Sequence, residues 1–294
     1  MKKIILSLSC ILVLAVITGC GLTSKQVVKT RSFGTATSKI GRFGEREFLN
    51  IRNGIIEMNK ELVSIDNTKL VKSLKLDRPA SVEATAKRVA ASKALRLYGE
   101  LLVKLVTEGK TENLQKIADS LLESTSVALK EEISDKKKDA VKKIIIGLGS
   151  FFVDKKKADA VKKIIPAYQQ TVDNLAELLL KDFSLTEDGS FGFLKAYETT
   201  AKRLKNASMR LVNAGEKYTV LERYQAVQAF VIAEKAISRA AEISKKTEKT
   251  ITGFKKANAE LVKVIKNKKY STDDIKVYAK QIEALVAIYQ VIDN

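Results

Sequence analysis

Few side chains in this 294-residue chain are equipped for chemistry. It has no His, which removes the commonest general base and metal ligand. Its only thiols are Cys10 and Cys20. Cys20 closes the tetrapeptide Ile17-Thr18-Gly19-Cys20, which follows the basic pair Lys2-Lys3 and the apolar run 4–17. A positive start, a short apolar run and small residues at its end form an export signal, not a fold element. The run is also shorter than the roughly 20 residues a spanning helix needs.

These four residues resemble the lipobox of bacterial lipoproteins: an aliphatic residue, a small residue, Gly or Ala, then Cys. The resemblance covers the signal region alone. It implies cleavage between Gly19 and Cys20, with a diacylglyceryl group on the Cys20 sulfur. The alternative is an ordinary secretory signal that happens to end in Cys. Gly21, and not Asp, follows Cys20. By the sorting rule of enteric-type bacteria this implies the outer membrane, facing the periplasm. In a Gram-positive cell the anchor would sit in the only membrane. Cys10 would leave with the signal and Cys20 would be capped, so the exported protein would hold neither a free thiol nor a disulfide. Stability would then rest on its core.

No enzyme constellation emerges from the remaining sequence. There is no phosphate loop ending in Gly-Lys-Ser/Thr, and no triad or zinc motif can form without His. Glu57/Glu61, Glu131/Glu132 and Asp273/Asp274 read as helix surface and N-terminal dipole partners. The expectation is a non-enzymatic protein with no catalytic residue, no metal and no cofactor beyond the covalent lipid. The formal charge is +19. Export and the lack of an aromatic stacking platform argue against nucleic acid. Lysines spread over helix faces are solvated surface first. They would also suit an anionic envelope component or an acidic protein.

Periodicity supplies the elements. Residues 20–44, rich in Gly, Ser and Thr with basic but no acidic side chains, read as a lipidated N-terminus and flexible tether spanning on the order of 25–30 Å. Its cations would lie near headgroups or simply keep the spacer soluble. Residues 45–294 read as one helical bundle. Phe48, Ile51, Ile55, Met58, Leu62 and Ile65 step by three and four, as in a coiled-coil seam. Similar seams run from Pro79 to Thr107, from Leu114 to Ala128, from Val161 to Phe183 and from Leu194 to Leu211. Pro166 should kink or restart the fourth of these helices. The longest seam, Ala226 through Phe230, Ala233, Ile237 and Ala240 to Ile265, predicts a helix of about 70 Å. A last helix carries Ile275, Tyr278, Ile282, Leu285 and Tyr289. The class is all-α: an elongated antiparallel bundle of about six to eight helices with coiled-coil-like long members.

One segment stands apart. The apolar decapeptide Ile144–Val153 lies between lysine clusters, inside two copies of a DKKK(A)DAVKKII repeat. Leu148, Phe151 and Phe152 could contact a membrane or partner as an exposed tip. The same residues fit one face of a core helix, which is the preferred reading. Three functions remain in view: an envelope lipoprotein that binds another envelope component through its helical faces, a periplasmic immunity or inhibitor protein against a toxin, and a membrane-active helical protein using 144–153.

Overall fold

The computed structural model describes residues 21–65, 75–108, 112–129, 145–147, 154–185, 192–214, 217–266 and 273–286. Among these residues there are seven helices and no strand. They are α1 (Ser24–Ile65), α2 (Val82–Thr107), α3 (Glu112–Leu129), α4 (Asp154–Phe183), α5 (Phe193–Asn213), α6 (Val220–Lys266) and α7 (Asp273–Val286). The all-α bundle expected from periodicity is what the chain forms.

The first correction concerns the tether. Residues 24–44 are the first half of α1, and Phe33, Ile40 and Phe43 are buried in the core. The seam assigned to start at Phe48 runs upstream through Gln26, Thr30, Phe33, Thr37, Ile40 and Gly44, in the same steps of three and four. Its small and hydroxylated members gave it a loop-like composition. Their small volume serves a different end, because α1 and α2 touch backbone to backbone. A Cβ on Gly34 would lie 2.7 Å from the Gly99 carbonyl oxygen, and one on Gly41 would lie 2.6 Å from that of Ser92. Thr23 and Gln26 cap the helix reciprocally: Gln26 N donates to Thr23 Oγ1 (3.2 Å) and Thr23 N donates to Gln26 Oε1 (3.0 Å).

Cross-helix pairs set the directions. Gly34 meets Gly99 and Gly41 meets Arg96, so α1 and α2 are antiparallel. Tyr98 stacks on Tyr168 at 6.1 Å and Arg88 pairs with Asp182 at 2.8 Å, so α4 opposes α2. Phe33 meets Phe254 at 5.6 Å and Glu47 meets Arg239 at 2.9 Å, so α6 opposes α1. The half of the bundle near Gly21 packs α1, α2, α4 and α6, with α7 against α1 and α6 and α3 against α2. Beyond Phe183, α5 takes the place of α4 against α6 and packs on α1. At this handover Phe48 stacks on Phe183 at 4.5 Å and meets Phe193 edge-on at 5.6 Å. Asp182 accepts from the Phe193 N–H (3.3 Å), satisfying one orphan donor of α5, while Arg88 lies over the Phe193 ring.

α4 runs on through Pro166 without restarting. α6 is continuous over 47 residues, about 70 Å, with Gly253 buried inside it. The first copy of the repeat lies outside the described residues except for Ile145.

Candidate functional site

Two places at opposite ends of the bundle carry the features that point to function. The first is the end where the chain leaves Cys20. Cys20 and Gly19 lie outside the described residues, but Gly21 does not. It rests against the start of α4, where a Cβ on it would sit 3.7 Å from the Asp154 Cβ. Leu22 already packs on the core. Gln26 Nε2 donates to the Val264 carbonyl at 2.8 Å, which ties the first turn of α1 to the last turn of α6. The start of α7 joins them. Partial burial holds the Lys29 ammonium below its ordinary range, and the nearby charges of Lys276 and Lys25 add to this while Asp273 opposes it. Lysines crowd this end: Lys155 and Lys156 on α4, Lys263 and Lys266 on α6 and Lys276 on α7 are all exposed.

Sequence reasoning overlooked the second place, the α5–α6 hairpin at the far end. Val220, Leu221 and Tyr224 are 76%, 66% and 60% exposed, and Val227, Val231, Met209 and Val212 are also exposed. Val220, Tyr224, Val227 and Val231 step by four, three and four, so α6 carries an outward seam here beside its buried one of Ala226, Ala229 and Ala233. The signal was present in the sequence, but reading a single face hid it. Arg203, Arg210, Lys217 and Arg223 are exposed around it. Thr219 and Glu222 start α6 with a second reciprocal cap: Thr219 N donates to Glu222 Oε2 (2.7 Å) and Glu222 N donates to Thr219 Oγ1 (3.3 Å).

The interior polar groups act as ties between helices. Arg239 holds the buried Glu47 with both carboxylate oxygens, at 2.9 and 3.1 Å. Arg96 bridges Glu45 (2.6 Å) and Glu100 (3.1 Å) between α1 and α2. Asn258 Nδ2 donates to Asp173 at 2.8 Å, joining α6 to α4. Burial pushes Asp173 up, with the Asn258 hydrogen bond opposing. Burial also pushes the Tyr98 and Tyr168 hydroxyls well above the ordinary range. A surface cleft of about 470 Å³ between α1 and α7 is lined by Val28, Arg31, Thr35, Lys39, Ile282 and Glu283.

Of the apolar decapeptide only residues 145–147 are described: Ile145 is buried in the core, and Ile146 and Gly147 are exposed. Leu148, Phe151 and Phe152 lie outside the described residues. Among the described residues no cluster of three or more Asp, Glu, Cys or His side chains could hold a metal ion, and no helix is long and apolar enough to cross a membrane. No protein-family model, curated protein or solved structure matches this chain.

Proposed function

We propose that this chain is a lipid-anchored, non-enzymatic cell-envelope protein. In this reading the Cys20 lipid holds the bundle at a membrane, the outer membrane facing the periplasm, and the α5–α6 tip docks a partner protein. The observation that carries the reading is the opposition of two features. The chain enters from Cys20 at one end of α6, and an exposed apolar seam lies at the other, about 70 Å away. Exposed apolar residues at steps of three and four suit an amphipathic helix laid alongside them. The cations around the seam select a helix with acidic flanks, so the occupant is an acid-flanked amphipathic helix of another envelope protein.

Two experiments test the two halves. For the anchor, Cys20→Ser should yield the same helical bundle without acyl label, in the soluble fraction. A variant that still incorporates labelled lipid at its N-terminus would overturn the assignment. For the tip, a photo-crosslinking residue in place of Tyr224 should give a discrete adduct in the envelope, mapped to a helix with acidic flanks. Val227→Asp in the same chain should abolish it with the melting temperature unchanged. The same photo-crosslinker in place of exposed Lys256 should give no such adduct. No adduct at 224, or equal adducts at 224 and 256, would remove the tip as a docking face.

A further inference from the structure

We propose that the end of the bundle built from the first turns of α1, α4 and α7 and the last turn of α6 is a seat for anionic phospholipid headgroups. This rests on the proposed lipid on Cys20 and deepens it. Leu22 packs on the core, so only Gly21 separates Cys20 from the folded body. Two residues of chain reach at most about 7 Å. A lipid on the Cys20 sulfur therefore brings this end of the bundle within about one Debye length of the headgroup layer, which is roughly 8 Å at physiological ionic strength. A flexible tether would have left it well outside that range.

What the end presents is mostly positive. Lys25, Lys155, Lys156, Lys263, Lys266 and Lys276 are exposed there, from four different helices. The acids among them are partly taken up locally: Asp154 meets Lys157 at 3.5 Å, and Glu260, largely buried, meets Lys263 at 3.7 Å. Asp159 and Asp273 complete the acidic side chains described on these turns. α1, α4 and α7 also point their N-termini this way, three positive dipole ends set against the negative C-terminal ends of α2 and α6. Lys276 and Lys25 both lie close enough to Lys29 for their charges to disfavour its ammonium, while Asp273 opposes them. Each lysine held that near an anionic surface strengthens attachment roughly fivefold. The seat stands the bundle upright, with α6 along the membrane normal and the α5–α6 tip directed away.

The test uses the processed, lipidated protein, whose only cysteine is the capped Cys20, so Lys276→Cys gives a single labelling site. A fluorophore there is read against vesicles carrying a headgroup-bound quencher. On vesicles containing phosphatidylglycerol the label should be strongly quenched at low salt. Molar salt should relieve the quenching, while the protein stays in the vesicle fraction. Phosphatidylcholine alone should give little quenching. Lys155→Glu with Lys266→Glu should lower the ratio of seated to lifted molecules at least roughly 25-fold, toward the phosphatidylcholine level. A label on Tyr224→Cys should stay bright throughout. Vesicle-bound protein with a bright label at 276, or equal quenching on both lipids, overturns the headgroup seat and leaves the Cys20 anchor standing. A protein that never enters the vesicle fraction sinks the anchor, and the seat falls with it.

Discussion

Gly99→Ala is expected to destabilise the bundle by about 3 kcal/mol, the upper end of what overpacking does. The added methyl group would sit 2.5 Å from the Ser38 amide nitrogen and closer still to the Gly34 carbonyl oxygen. Both are backbone atoms of a helix held along its length, and neither can swing aside as a side chain would. The strain must be relieved by moving α1 off α2, which opens the packing around Leu95, Leu102 and Phe33. Chemical denaturation should show a lower midpoint with little change in slope. Gly54→Ala is a useful contrast. Its closest neighbour is the Tyr197 ring at 2.6 Å, a side chain that can turn, so a markedly smaller loss is expected. Equal losses at 99 and 54 would contradict the backbone-contact account.

Arg239→Ala is expected to cost roughly 2–3 kcal/mol. Glu47 is 1% exposed, while the Arg239 side chain keeps 21% of its surface in water. Truncating the guanidinium takes two hydrogen bonds and a countercharge from a buried carboxylate, a penalty of about 3–5 kcal/mol for fully buried pairs, discounted here because water can reach the vacated space. The paired change Glu47→Leu with Arg239→Met should recover most of the loss, since an ion pair removed whole takes its desolvation penalty with it. Urea unfolding of the two single variants and the double variant gives the coupling directly. If the double variant is as unstable as the sum of the singles, the two side chains do not act as a pair.

Much of the fold was legible because apolar side chains at helical spacing leave few alternatives. The seam through Ala226, Ala233 and Ala240 and the one through Leu194, Ala201 and Leu204 are buried where periodicity placed them. The first half of α1 was not legible in the same way. Its buried face is made of Gly34, Thr37, Ser38, Gly41 and Gly44 as much as of Phe33, Ile40 and Phe43. Gly and Thr are poor helix formers, and only the neighbouring α2 repays their use by approaching closely. One local sign did exist: Thr23 and Gln26 stand at the spacing of a capping box.

The candidate site divides along similar lines. Cys20 stands out through residues 17–20, which resemble a lipobox, because that pattern is local in sequence. The basic end is assembled from turns that start at residues 24, 154 and 273 and one that ends at 266, and only packing brings them together. The apolar tip was written plainly in Val220, Tyr224, Val227 and Val231. Periodicity could show that they share a face of α6. It could not show that the bundle ends before covering them.

The hydrogen bond from Gln26 to Val264 joins residues 238 apart, and the Glu47–Arg239 pair joins residues 192 apart. The first helix of the bundle thus closes against its next-to-last. In the proposed export the N-terminal segment would emerge first, while the groove that receives it would be completed only when α6 has followed. Until then the chain around Cys20 has no α6 to hold it in place. An enzyme that needs an extended, accessible cysteine at the membrane surface has a window of time set by the length of the chain still to be translocated. Late closure of α1 is slow folding by topology, and under the proposed lipidation of Cys20 that delay would keep the thiol open to the modifying enzyme.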